Sequence, residues 1–308
     1  MATLIVGTDA GLLTVSVSGT QPDAAETLAR TAPRESIRAL GRSNGEWSAI
    51  SGGHSILHAS PHDGWKQIAT TELEAQCVAL HSSGLLVGTS QAHLLRLRNG
   101  GLEPVTSFED AGGRDTWYTP WGGPPDTRSI SIDGEGTVYV NVHVGGVLRS
   151  SDDGKTWEPT MDIDMDVHQV LADPSRAGLV FAASARGLGI TEDGGRSWTF
   201  VTDGLHRTYC RAVALCEDSV LVSASSGPRG GQAGIYRRTI GGPGGFERCR
   251  VGLPEWFQGN IDTFCLAAQG ETAAFGTEEG RIYVSEDQGR TWSEAAEAGA
   301  PVECLALL

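Results

Sequence analysis

The sequence is short of positive charge. Lys and Arg number 23 against 38 Asp and Glu in 308 residues, for a net charge of −15. A surface so acidic repels phosphate backbones, which excludes nucleic-acid binding by bulk electrostatics. No apolar run approaches the ~18 residues of a membrane-crossing helix, so no membrane role is expected. The start, MATLIVGTDAGLL, lacks a basic segment and meets glycine and aspartate within ten residues, unlike an export signal. The six cysteines show no paired spacing. Without an export signal they are expected to be reduced thiols in the cytoplasm. Glycine and proline, by contrast, are plentiful: 42 and 13 residues, about 18% of the chain against a usual ~12%. That excess, outside any low-complexity tract, implies many turns between short strands.

Internal repetition governs the rest of the reading. Ser150-Ser151-Asp152-Asp153-Gly154-Lys155-Thr156-Trp157, Thr191-Glu192-Asp193-Gly194-Gly195-Arg196-Ser197-Trp198 and Ser285-Glu286-Asp287-Gln288-Gly289-Arg290-Thr291-Trp292 all read [ST]-x-D-x-G-x-[ST]-W. Trp157 and Trp198 are 41 residues apart, and Trp198 and Trp292 are 94, or two periods, with a weaker copy ending at Phe246. His62-Asp63-Gly64-Trp65 is a decayed copy. A second motif recurs in phase: Val6-Gly7-Thr8, Val87-Gly88-Thr89 and Phe275-Gly276-Thr277 each close a short apolar run and precede another. A third opens each unit, as in Cys77-Val78-Ala79-Leu80 and Ala212-Val213-Ala214-Leu215. Each period therefore holds four short strands in series.

Seven units start near Ile37, Val78, Ile130, Val170, Val213, Cys265 and Leu305. The last has a first strand and no chain after it, whereas the N-terminus, Leu4-Ile5-Val6-Gly7-Thr8, begins at a second strand. The two halves complement each other. The expected fold is one all-β domain over 1–308: a seven-bladed β-propeller of four-stranded antiparallel blades, about 44 residues each. Its ring is closed by pairing of the C-terminal strand with the N-terminal blade, blade 1 being shared by 1–33 and 300–308.

The bracketed motif is that of the Asp-box, and the chain resembles the BNR/Asp-box propellers, a family that includes sialidases, sortilin-type receptors, xyloglucan-cleaving glycosidases and a photosystem II assembly factor. The resemblance covers the whole chain as architecture and says little about chemistry. Physically the motif is a hairpin staple. The carboxylate of Asp152, Asp193 or Asp287 is expected to accept backbone N–H bonds, with the glycine at positive φ and the tryptophan wedged between blades. These aspartates are structural, not catalytic.

Aligning the first strands places one residue per blade at the upper end of the central channel: Ser36, Gln76, Arg128, His168, Arg211, Thr263 or Phe264, and Glu303. Charges converging from different blades are costly unless paired or liganded. They form either a ligand site or a structural Arg–Glu plug. His143 closes a strand beside His168, and His206 and Tyr209 lie in the next interblade loop. His143, His168 and His206 are expected ligands for one transition metal or zinc ion, although no HxH or HxxxH spacing supports them. The long insertion 108–127 carries Trp117, Tyr118 and Trp121, and a further loop carries Trp256; long aromatic loops of this kind wall ligand sites.

The leading expectation is a cytoplasmic propeller that binds a small anionic or aromatic molecule in a funnel at the channel mouth. Arg128 and Arg211 clamp it, Glu303 and the four aromatic residues line the pocket, and His143, His168 and Tyr209 serve as acid, base or metal-assisted catalytic groups. A protein-binding scaffold is the alternative. A third reading, a sialidase-like glycoside hydrolase, needs two carboxylates at one mouth, for which Glu303, Asp126 and Asp262 are the candidates. No Arg-Ile-Pro of the sialidase kind is present, and a third channel arginine is missing from the ring.

Overall fold

The computed structural model describes residues 3–17, 23–60 and 62–308, so the first two residues of the start read above lie outside it. Seven antiparallel sheets form a ring, a seven-bladed β-propeller. Six sheets are four-stranded meanders that run outward from an inner strand. The inner strands are Ile37–Ser43, Ala75–His81, Thr127–Ile132, Val167–Ala172, Tyr209–Cys216 and Leu266–Gln269, in blades 2 to 7. Blade 1 closes the ring: Val302–Leu307 is its inner strand and pairs antiparallel with Thr3–Thr8, which pairs with Gly11–Ser16. Beyond that third strand the helix Asp23–Arg30 packs on the blade and buries Ala25 and Leu28. No helix among the described residues is long and apolar enough to cross a membrane.

The repeated motifs explain the geometry. In each staple turn the aspartate accepts bonds from the backbone N–H and the hydroxyl four residues on. The distances are 2.9 and 2.6 Å for Asp152 with Thr156, 2.9 and 2.6 Å for Asp193 with Ser197, and 2.8 and 2.6 Å for Asp287 with Thr291. The leading Ser or Thr accepts the N–H of Gly154, Gly195 or Gly289. Trp157 then packs edge-on against Phe108 at 5.1 Å, and Trp292 against Phe275 at 4.9 Å.

The Val-Gly-Thr motif has a separate cause. Gly7 pairs with Cys304 and Gly88 with Cys77, and a Cβ on either glycine would lie 2.5 Å from the partner's sulfur. The blades are narrow here, so a glycine faces a cysteine. Cys77, Cys265 and Cys304 then donate to carbonyls of the next blade, those of Thr127, Val302 and Ile37. All six cysteines are buried and unpaired.

Candidate functional site

The inner strands deliver their first residues to one end of the channel, where a cavity of about 530 Å³ opens. Gln76, Arg128, Asp262, Thr263, Phe264 and Glu303 are among its lining residues. Phe264 also lines a second, more apolar cavity of about 300 Å³, together with Gln169, Val213 and Leu305 of the inner strands. Phe264 holds this place with φ at 67°, a conformation rarely adopted by bulky residues. Its N–H lies 3.5 Å from the Oε1 of buried Gln169, which also accepts from Val213 N.

Two arginines and one aspartate cross the mouth. Arg211 Nη1 donates to both oxygens of Asp262 at 2.8 Å, and Nη2 reaches Tyr209 Oη at 3.4 Å and Pro228 O at 3.3 Å. Arg128 is held more loosely. Its Nη2 is 3.5 Å from Asp262 Oδ1, and its Nη1 is 3.5 Å from His143 Nε2. The Arg128 side chain remains 22% exposed, lining the funnel. Burial opposes the Asp262 charge, but Arg211 and Arg128 outweigh it and hold the carboxyl below its usual range. Burial likewise works against Arg211, yet Asp262 and Tyr209 hold its pKa up. Glu303 belongs to the same cavity without joining this network. Burial, then the charge of Asp9, raises its pKa. The charged crossing is thus Arg–Asp rather than Arg–Glu.

Beside Arg128 a second cluster forms. His143, just past a strand of blade 4, and His168, on the inner strand of blade 5, both turn Nε2 toward Asp166 Oδ1, at 2.9 and 3.5 Å. His168 is fully buried, and its Nδ1 is 2.6 Å from Cys210 O. A carbonyl can only accept, so Nδ1 carries the proton and Nε2 presents a lone pair. Burial pushes the His168 pKa down against the pull of Asp166, which keeps the ring neutral. Burial opposes the Asp166 charge, but His143, 2.9 Å away, holds the carboxyl below its usual range. His143 Nε2, Asp166 and His168 Nε2 can offer three donor atoms within 4.8 Å of one another.

Of the other expected site residues, Tyr209 and Trp121 border this cluster and the rest lie away from it. His206 shares a 2.6 Å hydrogen bond with Tyr236 Oη and packs at 4.4 Å against Trp256, which stacks on Arg248, so both residues lie outside the set around His168. Tyr209 packs its ring 4.7 Å from His168, and burial raises its hydroxyl pKa. Trp121 lies 5.2 Å from His143 with 69% of its surface exposed. Tyr118, also exposed, reaches Asp164 at 3.4 Å, whereas Trp117 packs on Phe108 under the Arg114 guanidinium. Cys210 is buried and its thiol is pushed up to about 12, so it is not a nucleophile at neutral pH.

Asp166 and the bridging role of Asp262 are the features that strand alignment passes over. Both residues sit just ahead of an inner strand, not in it. Asp166 has φ 48° and ψ 64°, a left-handed turn that aspartate tolerates and that brings its carboxylate back over His168. The signal available in the sequence is Asp166-Val167-His168, an acidic residue two before the channel histidine.

No protein-family model matches the chain, and no curated protein matches it either. Solved structures similar to it include the GH74 xyloglucanase from Xanthomonas campestris, with a TM-score of 0.62 and 15% identity over 84% of this chain and 45% of that one. YCF48 bound to D1 peptide has a TM-score of 0.58 and 15% identity over 85% and 83%. The computationally designed Ika8 protein has a TM-score of 0.58 and 12% identity over 95% and 85%. The chain spans less than half the length of the xyloglucanase, and at these identities the likeness extends to the fold alone.

Proposed function

We propose that this chain binds a small carboxylate- or phosphate-bearing molecule in the funnel at the channel mouth, with Arg128 as the cation that meets it. The observation that carries this reading is the contrast between the two arginines. Arg211 is committed to Asp262 through two 2.8 Å contacts, whereas both contacts of Arg128 are 3.5 Å and its side chain faces a cavity of about 530 Å³. A guanidinium has five N–H donors in a planar fork suited to an oxyanion. The two-arginine clamp expected from the sequence narrows to one open arginine, with the second anchoring the mouth. The three identical staple turns support an Asp-box propeller, and six unpaired thiols support a reducing compartment such as the cytoplasm.

The test is calorimetric titration of the chelator-treated protein with inorganic phosphate and with succinate. Binding should weaken at least tenfold in Arg128→Ala while its circular dichroism stays that of the parent. Equal affinity in the variant and the parent would remove Arg128 from the reading. A scaffold role has its own support: Trp121 is 69% exposed on the long loop, and YCF48, a propeller of like fold, is bound to a peptide. Under that reading neither anion binds, and shortening the 115–126 loop abolishes capture of a partner while Arg128→Ala does not.

A further inference from the structure

A buried imidazole lone pair and a carboxylate oxygen face each other here without a proper hydrogen bond. His168 Nε2 and Asp166 Oδ1 are both shielded from solvent, and neither has an aligned partner. Two such atoms 3.5 Å apart are unfavourable as they stand, because both are shielded from water and the contact between them sets a lone pair against a carboxylate oxygen. A second proton, on Nε2, would make His168 a buried cation, whereas the neutral ring donates its one proton to Cys210 O at 2.6 Å. That backbone bond fixes the tautomer and aims Nε2 at Asp166, as outer hydrogen bonds do for imidazoles that ligate metals. His143 Nε2 completes the group, 2.9 Å from the same carboxylate oxygen.

The spacing fits an ion. Donor atoms about 2.1 Å from a common metal are ~3.0 Å apart at octahedral angles and ~3.4 Å apart at tetrahedral ones. Two edges of the triangle measure 2.9 and 3.5 Å, and no edge exceeds 4.8 Å. Two imidazoles and one carboxylate suit first-row transition cations and not Ca²⁺ or Mg²⁺, which take oxygen ligands.

We infer that His143 Nε2, His168 Nε2 and the Asp166 carboxylate form a binding site for one divalent transition cation at the wall of the funnel. Three protein ligands leave coordination positions for water or an anion. Arg128 Nη1, 3.5 Å from His143 Nε2, borders the site, and its charge is offset by Asp262. Trp121 borders it over the His143 ring. The inference goes beyond anion binding by Arg128 and stands without it.

The experiment uses the full chain, stripped with chelator and dialysed, then titrated with Zn²⁺ by calorimetry and with Co²⁺ by visible absorption. One equivalent should bind, with Co²⁺ d–d bands appearing, and Ca²⁺ should not bind. Asp166→Asn and His168→Ala should each weaken Zn²⁺ binding by about 100-fold or more, since even second-shell losses cost ~10–100-fold. His206→Ala should leave the affinity unchanged, because His206 packs elsewhere. Substoichiometric Zn²⁺ in the parent, or unchanged affinity in Asp166→Asn, overturns the site. Should His168→Ala fail to fold, the parent Co²⁺ spectrum and Asp166→Asn decide between the outcomes. Phosphate binding in stripped protein is read separately. Its survival without metal binding refutes this inference and spares the Arg128 reading, while the reverse pattern does the opposite.

Discussion

Replacing Asp262 with asparagine tests whether the mouth is an electrostatic crossing that an anion can enter. The substitution keeps the shape and one acceptor oxygen but removes the charge that holds two arginines together. Contacts of 3.5 and 2.8 Å to the same Oδ1 put the Arg128 and Arg211 nitrogens at most about 6.3 Å apart. At that separation two unit charges repel by ~2.6 kcal/mol at an effective dielectric of about 20, and by ~0.7 kcal/mol in bulk water. The Asp262 side chain is 45% exposed, so the effect lies between these limits. With the loss of charge reinforcement in the Arg211 bonds, the variant should be destabilised by about 2 kcal/mol. For a chain of this size that is a fall in Tm of ~4 °C. Two additions should reverse it. Raising salt from about 0.1 to about 1 M shortens the Debye length from ~10 to ~3 Å and screens the repulsion. Inorganic phosphate, taking the carboxylate's place between the guanidiniums, should add ~1.4 kcal/mol at about ten times its Kd. That gain should exceed the one seen in the parent, where Asp262 competes for Arg128. Differential scanning calorimetry of both proteins, with and without phosphate, is the assay. A parent-like Tm for Asp262→Asn, or the same phosphate increment in both proteins, would refute the reasoning.

Phe264 and the staple turns supply two more expectations. Phe264→Gly should be more stable than Phe264→Ala by about 1 kcal/mol in urea denaturation, because both lose the ring but only glycine adopts φ 67° without strain; the opposite order would show that this turn relaxes. Acid should weaken the staples: hydrogen bonds from Thr156 hold the Asp152 carboxyl near about 2, against ~3.9 in an unfolded chain, and Asp287 is also lowered, against the opposing effect of its burial. A depressed folded pKa contributes stability that is fully present above the unfolded value and is lost as pH falls through the folded one. The urea midpoint should therefore fall between about pH 4 and pH 2, and Asp152→Asn should flatten part of that fall; an unchanged slope would mean the staple bonds contribute nothing.

How much of this was legible in the chain depends on whether a residue acts from a repeat or between repeats. The staple turns close within five residues, so their spacing alone specifies Asp152, Asp193 and Asp287 together with their donors. Ring closure was equally readable, because a blade missing one strand and a tail consisting of one strand have a single way to bury their edges. Arg128, His168, Arg211 and Glu303 emerge from strand register for the same reason: each occupies the same offset in its unit. Register says where a side chain starts, however, and not what it meets. Arg128 and Asp262 come from blades on opposite sides of the channel, so their contact depends on the width of the ring. His206 seemed equivalent to His143 because both lie near strand ends, yet Tyr236 on the same blade captures its Nδ1 and Trp256 covers its face. Asp166 holds the matching position near His168 only because its backbone turns left-handed.

The same distinction explains why fold and chemistry separate so cleanly in this molecule. Neighbouring blades share their apolar cores, as where Phe181 and Leu188 of blade 5 are buried in one cluster with Val213 and Val222 of blade 6, and residues that crowd the axis are selected for size: glycine opposite cysteine at Gly7 and Cys304, and at Gly88 and Cys77. The charged groups Arg128, Asp262 and Glu303 gather at the channel mouth, where a loop precedes each inner strand and can be altered without disturbing the meander behind it. Asp166 and Asp262 both occupy such pre-strand positions, each placing one carboxylate against groups that the strands present. One carboxylate is neutralised by arginines and the other faces imidazoles. The first ties two arginines across the mouth, and the second stands within 3.5 Å of two imidazole nitrogens. If the mouth binds as proposed, substituting the loop carboxylates Asp166 and Asp262 alone would change its ligand or metal. Moving the carboxylate of Asp166 should accordingly alter what binds at the mouth while leaving the Tm within a few degrees of the parent.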